Sequence, residues 1–284
     1  MLHHTFLHIQ GVGATTERRL WERGLLAWND LDAATAAAPG HLRGLLRAGV
    51  ADSLRNAADP AYFARRLPAG QGWRIFPEFR GATAYLDIET TGLDHGCDQI
   101  TTIALYDGRA VRTYVRGRNL DEFPADVQAF KVLVTYNGKS FDQPFLERSF
   151  GMRLRQAAVD LRYVLKGLGF GGGLKGCERR LGMDRGELDG VDGFMAVRLW
   201  ERYRRSRDEC ALETLLAYNV QDTVNLERLM VEAYNRSVAA TPFAGLRLPD
   251  AATPVNPFRA HPEVVADLTG GALRTPRYGA AVSP

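Results

Sequence analysis

The sequence predicts an α/β fold, a mixed β-sheet flanked by helices, and three observations carry that expectation. Runs rich in β-branched and aromatic residues begin only after Trp73 and come as three in close succession. A fourth apolar run, KVLVTY, follows a short helical stretch, so a crossover separates it from the first three. Helix-compatible stretches then dominate to about Val238, enough to cover a sheet.

The elements follow in chain order. Residues 1–60 are rich in Ala, Leu and Arg, with helical punctuation and almost no strand signal, and predict a small helical region. Within it, LHIQGVGATTERRLWERG places the tight turn Gly11-Val12-Gly13 between apolar residues and a helix, which resembles a helix-hairpin-helix element. Such a turn offers backbone N–H groups to a phosphate, with Arg18, Arg19 and Arg23 nearby, or serves simply as a packing turn. Residues 61–72 carry Pro68, Gly70 and Gly72 directly after Pro60, and read as a linker with one short helix.

Residues 73–238 make the main domain. ATAYLDIETT, QITTIALYDG and AVRTYVRG, separated by Gly-containing turns, predict an antiparallel meander. A short helix near Leu120 to Phe130, the strand KVLVTY, a helix from Phe141 and a brief strand around Ala158 to Leu161 come next. The order βββαβαβ followed by helices suits a sheet with its first strand at the centre. Residues 239–284 hold Pro242, Pro249, Pro254, Pro257 and Pro262 without sustained periodicity, and predict an extended wrap or a partly ordered tail.

Composition narrows the class. With 284 residues, 45% of them hydrophobic, the chain can close a full core. No apolar run approaches the roughly 20 residues of a membrane helix, and the start MLHHTFLHIQGVG lacks the sections of a secretory signal, so a cytoplasmic address is expected. Cys97, Cys177 and Cys210 are far apart and outside any C-x-x-C spacing, which argues against a disulfide framework or a zinc site. A formal charge of +3 permits a polyanionic partner without requiring one.

Three motifs carry chemistry. In YLDIET the alternation of a strand sends Asp87 and Glu89 to one face, and such a pair repels itself unless a cation lies between. Hard divalent ions prefer oxygen donors, so the pair is a natural half-site; an edge strand that merely solvates both acids is the alternative. In VTYNGKSFDQPFL an apolar strand ends at Asn137-Gly138 and Asp142 opens the next helix, where taken alone it reads as an N-cap beside a turn. In AYNVQDTVNL, Tyr218 and Asp222 stack on one helix face, with Leu215, Val220 and Leu226 available to pack around them. A Tyr and an Asp at that spacing are ordinarily solvated.

Together and in this order, D-x-E on a strand, N-x-x-x-F-D at a helix start and Y-x-x-x-D on a late helix resemble the DEDD exonuclease superfamily, tyrosine subtype, which has a ribonuclease-H-like fold. The wording DIETTGL, YNGKSFDQPFL and YNVQD is most similar to the proofreading domains of family B DNA polymerases and to stand-alone bacterial ribonuclease-H-like exonucleases, over about Trp73 to Val238. The resemblance implies that Asp87, Glu89, Asp142 and Asp222 bind two divalent metal ions, Mg²⁺ or Mn²⁺, and that Tyr218 orients the attacking water. It further implies a 3′ to 5′ direction, single-stranded nucleic acid ends as partners and 5′-mononucleotides as products. Thr90, Gly92 and Leu93 would meet the terminal nucleotide. Phe141 would stack on a base or sit in the core, and Asn137 would cap its turn or touch substrate.

Several features compete. Gly167, Gly169 and Gly172 in GLGFGGGLKG have G-x-G-x-x-G spacing, with Asp189 or Asp192 near the place of a ribose-binding acid, but the preceding strand is short and no βαβ unit follows. A loop beside the substrate channel, with Lys175 touching phosphate, is the expectation. His3, His4 and His8 lack partnering Cys or acid for a metal site. ERYRRSRDE reads as a solvated helix end or an electrostatic track. The function expected is a metal-dependent 3′ to 5′ exonuclease on DNA or RNA; the alternative is a catalytically weak nucleic-acid-binding module that recruits through its N-terminal turn.

Overall fold

The computed structural model describes residues 1–30, 38–252 and 254–270; part of the N-terminal helical region and residues 271–284 of the expected tail lie outside them. Five strands form one sheet: β1 Thr83–Thr90, β2 Ile100–Tyr106, β3 Val111–Val115, β4 Val132–Thr135 and β5 Ala157–Asp160. Their order is β3-β2-β1-β4-β5, with β1 at the centre as the sequence predicts. β1–β2 and β2–β3 pair antiparallel, as the meander requires, whereas β1–β4 and β4–β5 pair parallel, because a helical crossover precedes each of β4 and β5.

The helices are α1 Ala14–Glu22, α2 Gly40–Arg55, α3 Pro60–Ala64, α4 Phe76–Phe79, α5 Phe123–Asp126, α6 Asp142–Phe150, α7 Leu161–Gly167, α8 Gly173–Arg180, α9 Gly193–Ser206, α10 Glu209–Ala239 and α11 Pro262–Gly270. Among the described residues, no helix is long and apolar enough to cross a membrane.

Strand alternation divides the core. Leu86 and Ile88 face α6, where they share an apolar cluster with Phe145 and Leu146. Tyr85, on the other face, clusters with Val220 and Val224 of α10. α10 begins under the side chain of Asp208, which accepts from the N–H groups of Cys210 (3.0 Å) and Ala211 (3.2 Å). Most of its 31 residues are buried. A surface helix would bury one stripe; α10 is covered nearly all round, by the sheet, by α9 and by the N-terminal segment.

The N-terminal segment packs into the same core. Leu2, Phe6, Trp28, Phe63 and Trp73 belong to one continuous apolar cluster with Tyr85 and Tyr234. Buried Glu17 of α1 anchors it, accepting from Thr5 Oγ1 and the Phe6 N–H, both at 2.7 Å, and pairing with Arg74 at 2.9 Å. His8 is enclosed beside Ser53, and burial, with Arg66 and Arg74 nearby, lowers its pKa to about 4. His3 rests on Trp28 and His4 on Phe243, so the three histidines serve aromatic packing. At the other end the proline-containing stretch is tied down by Asn256, which donates to the Ala217 carbonyl (2.8 Å), before Pro262 starts α11.

Candidate functional site

The site lies where β1 ends against α10. A register shift between Glu89 and Thr90 interrupts the regular β1–β2 pairing at the end of β1. Just before it, Asp87 and Glu89 project toward α10, on the same face as Tyr85. On α10, Tyr218, Asn219 and Asp222 share a face that meets them. Carboxylate oxygens of Asp87, Glu89 and Asp222 all lie within 4.8 Å of one another. Asp142, the first residue of α6, lines the same cavity but is not part of that triplet. Phe141, not Asp142, occupies the cap position of α6, so the N-cap reading of Asp142 does not hold.

Burial and mutual repulsion dominate the electrostatics. Glu89 is 9% exposed, Asp142 4% and Asp222 5%. Desolvation, followed by the neighbouring carboxylates, pushes Asp87 and Glu89 well above the usual carboxylate range. Asp142 rises to about 7, chiefly through burial, against hydrogen bonds from its own N–H and that of Ile88. Raised carboxylate pKa values mean that the folded state holds protons which the unfolded chain has already released. Their stabilisation is therefore complete below the ordinary carboxylate pKa and is lost as pH rises through the folded value. In EDTA the melting temperature should fall between about pH 4 and pH 7. Adding Mn²⁺ should flatten that fall, since an ion favours the ionised acids; differential scanning fluorimetry with and without metal reads both slopes.

Tyr218 is 4% exposed, and burial together with Asp222, Glu89 and Asp87 drives its phenol upward. Its hydroxyl therefore stays a neutral O–H at neutral pH, suited to hydrogen bonding and not to acting as a base. Lys175 Nζ lies 4.7 Å from the Tyr218 ring centre and donates to the Val191 carbonyl. Its charge also acts on Asp222 and Glu89.

Asn219, Arg185 and Glu178 were not singled out by the sequence motifs. Asn219 donates from Nδ2 to Asp87 (2.7 Å) and accepts from Thr102 Oγ1 (3.0 Å), which fixes the Asp87 carboxylate. Its signal was present inside YNVQD, on the face shared with Asp222. Arg185 is buried and pairs with both Asp222 and Glu178, the latter at 2.5 Å. Glu178 also accepts from Asn225 Nδ2 at 2.7 Å. Arg185 sits in an irregular segment before α9, where no periodicity marks a residue as inward-facing.

The remaining expected residues fall in place unevenly. Thr90, Gly92, Leu93, Asn137 and Phe141 all line the cavity. Thr90 donates to the Gly92 carbonyl at 2.5 Å. A Cβ at Gly92 would collide with the Asp98 carboxylate, so the need for glycine there arises within the loop itself. Asn137 has φ +65°, donates its N–H to Asp160 (2.8 Å) and accepts from Arg162 (2.5 Å). It thus shapes the turn while its side chain reaches the cavity. Phe141 packs 5.0 Å from Phe145 and still faces the cavity. The glycine loop leads from α7 into α8, with a helix and no strand before it, which removes the dinucleotide reading.

The chemistry of the donor set fits a hard divalent cation: oxygen ligands only, clustered, and each destabilised as an anion until a positive charge joins them. A family model described as the RNase_H superfamily matches residues 84–234. Among solved structures, the family B DNA polymerase from the hyperthermophilic archaeon Pyrobaculum calidifontis is similar at 17% identity and a TM-score of 0.41. The similarity covers 57% of this chain and spans about a quarter, 26%, of the polymerase. No curated protein sequence matches.

Proposed function

Because the chain belongs to the RNase_H superfamily, we propose that it is a two-metal-ion exonuclease of the DEDD tyrosine subtype, removing 5′-mononucleotides from the 3′ ends of single-stranded nucleic acid. The observation that carries this reading is the convergence of Asp87, Glu89 and Asp222 within 4.8 Å, in a cavity that Asp142 and Tyr218 also line. Those four carboxylates would hold Mg²⁺ or Mn²⁺. When bound, the ions supply Lewis acidity, activating water and neutralising charge on the phosphodiester.

The chain's own residues do the rest. Asn219 holds Asp87 in one orientation, so the acid meets its ion without rearranging. Tyr218 keeps its proton and directs the attacking water by hydrogen bonding, with Lys175 and Arg185 over its ring (4.7 and 5.6 Å) holding the ring in place. The loop Thr90 to Leu93 and Phe141 receive the terminal nucleotide, and the depth of Glu89 and Asp222 favours an unpaired end that can reach them. The N-terminal turn, with exposed Gly11 and Gly13, is a second place of contact with the nucleic acid backbone.

The deciding experiment is degradation of 5′-labelled single-stranded DNA, single-stranded RNA and duplex with Mg²⁺ or Mn²⁺. Stepwise shortening from the 3′ end is expected. No product with any substrate and either metal would overturn the reading and favour a binding module. Tyr218→Phe should lose about 10²-fold in rate, in the range of a lost positioning group, while the Mn²⁺ affinity read by calorimetry stays within a few-fold. An equal loss of metal affinity would assign Tyr218 to the metal shell instead.

A further inference from the structure

Resting on that reading of the carboxylate site, the geometry points to a phosphate track: we propose that Arg162 and Lys166 of α7, with Arg179 and Arg180 of α8, hold the sugar-phosphate backbone of a single strand as it approaches the acids.

All four side chains are exposed and all four line the cavity that contains the carboxylates. Their charges are free. Arg162 donates to the Asn137 side-chain oxygen and Arg180 to the Gly169 carbonyl (3.1 Å), both neutral acceptors, and among the described residues none of the four has a carboxylate within ion-pair distance. Several other arginines are matched to acids: Arg74 with Glu17, Arg80 with Glu227, Arg118 with Glu209, Arg202 with Asp208 and Asp267. Four exposed cations that share one cavity, none of them ion-paired with a carboxylate, make a site for several negative charges.

The ligand is extended. The cavity, about 1660 Å³, exceeds the roughly 300–1,000 Å³ that encloses a small molecule. Arg162 and Lys166 are four residues apart on one helix, and therefore face the same way. Exposed Leu93 and Phe194 line the same cavity and offer apolar surface to unstacked bases, which a duplex keeps hidden. The Arg-rich end of α9, a track candidate from sequence, is placed otherwise: Arg202 is paired, and exposed Arg204 and Arg205 do not line the cavity.

The test is equilibrium binding of a fluorescein-labelled oligothymidylate, read by anisotropy in EDTA across a salt series, so that no hydrolysis occurs. Each single-strand phosphate contact contributes about 0.7 to the slope of log K against log salt. The variant R162Q/K166Q/R179Q/R180Q should lower that slope by about 2 to 3, whereas R204Q/R205Q should leave it unchanged. An unchanged slope in the fourfold variant, or an equal fall in the R204Q/R205Q control, overturns the track. A blunt duplex that binds as tightly as the single strand overturns the assignment to single strands. Exposed substitutions spare the core, and circular dichroism checks the fold. Binding is read without metal and hydrolysis with it, so failure of the exonuclease reading and failure of the track appear in separate measurements.

Discussion

Replacing Asp87 by Asn and Glu89 by Gln together should abolish metal-dependent hydrolysis while making the metal-free protein more stable. The two substitutions keep shape and hydrogen-bonding capacity, so Asn219 still finds an acceptor at position 87. They remove two charges whose pKa values are driven up by burial and by each other. Loss of a partner outside the ligand shell typically costs roughly 10- to 100-fold in a metal enzyme, so loss of two ligands should exceed about 10³-fold. Thermal melts in EDTA at pH 8 should show a higher midpoint than the parent protein, because the folded state no longer confines repelling carboxylates. The upward shift that Mn²⁺ gives the parent should vanish. Activity within tenfold of the parent would place the chemistry elsewhere, and a retained Mn²⁺ shift would place the ion elsewhere.

Arg185→Met should have the largest effect on stability. The guanidinium is buried between Asp222 and Glu178, and its removal leaves both acids without their cation. Breaking a buried pair in this way costs about 3–5 kcal/mol, more than most single substitutions in a core. The loss should be full in EDTA and smaller with Mn²⁺, since an ion at Asp222 supplies a cation to one of the two acids that Arg185 bridged. Urea titrations under the two conditions read the difference. Equal losses with and without Mn²⁺ would make the network purely structural, independent of the metal site. Adding Glu178→Gln to Arg185→Met should recover part of the loss by removing one stranded charge, a non-additivity that a double-mutant cycle measures.

Sequence alone determined the order of the elements, the central place of β1 and the pairing of Asp87 with Glu89 on one face, because strand alternation and turn chemistry are local. It placed Tyr218 and Asp222 on one helical face for the same reason. Local rules could not decide whether that face was solvated, as such a pair ordinarily is, since burial of α10 depends on the sheet, α9 and the N-terminal segment arriving around it. Nor could they find Arg185, which has no periodic neighbours and acquires its role only when an irregular segment folds against α8 and α10. The same holds for Asp160, whose carboxylate gathers the N–H groups of Asn137, Lys139 and Arg162 from two separate stretches. Periodicity reports which side of an element a residue occupies. Charge balance inside a cavity depends on residues far apart in sequence, and only the packed chain brings these counter-ions to the acids.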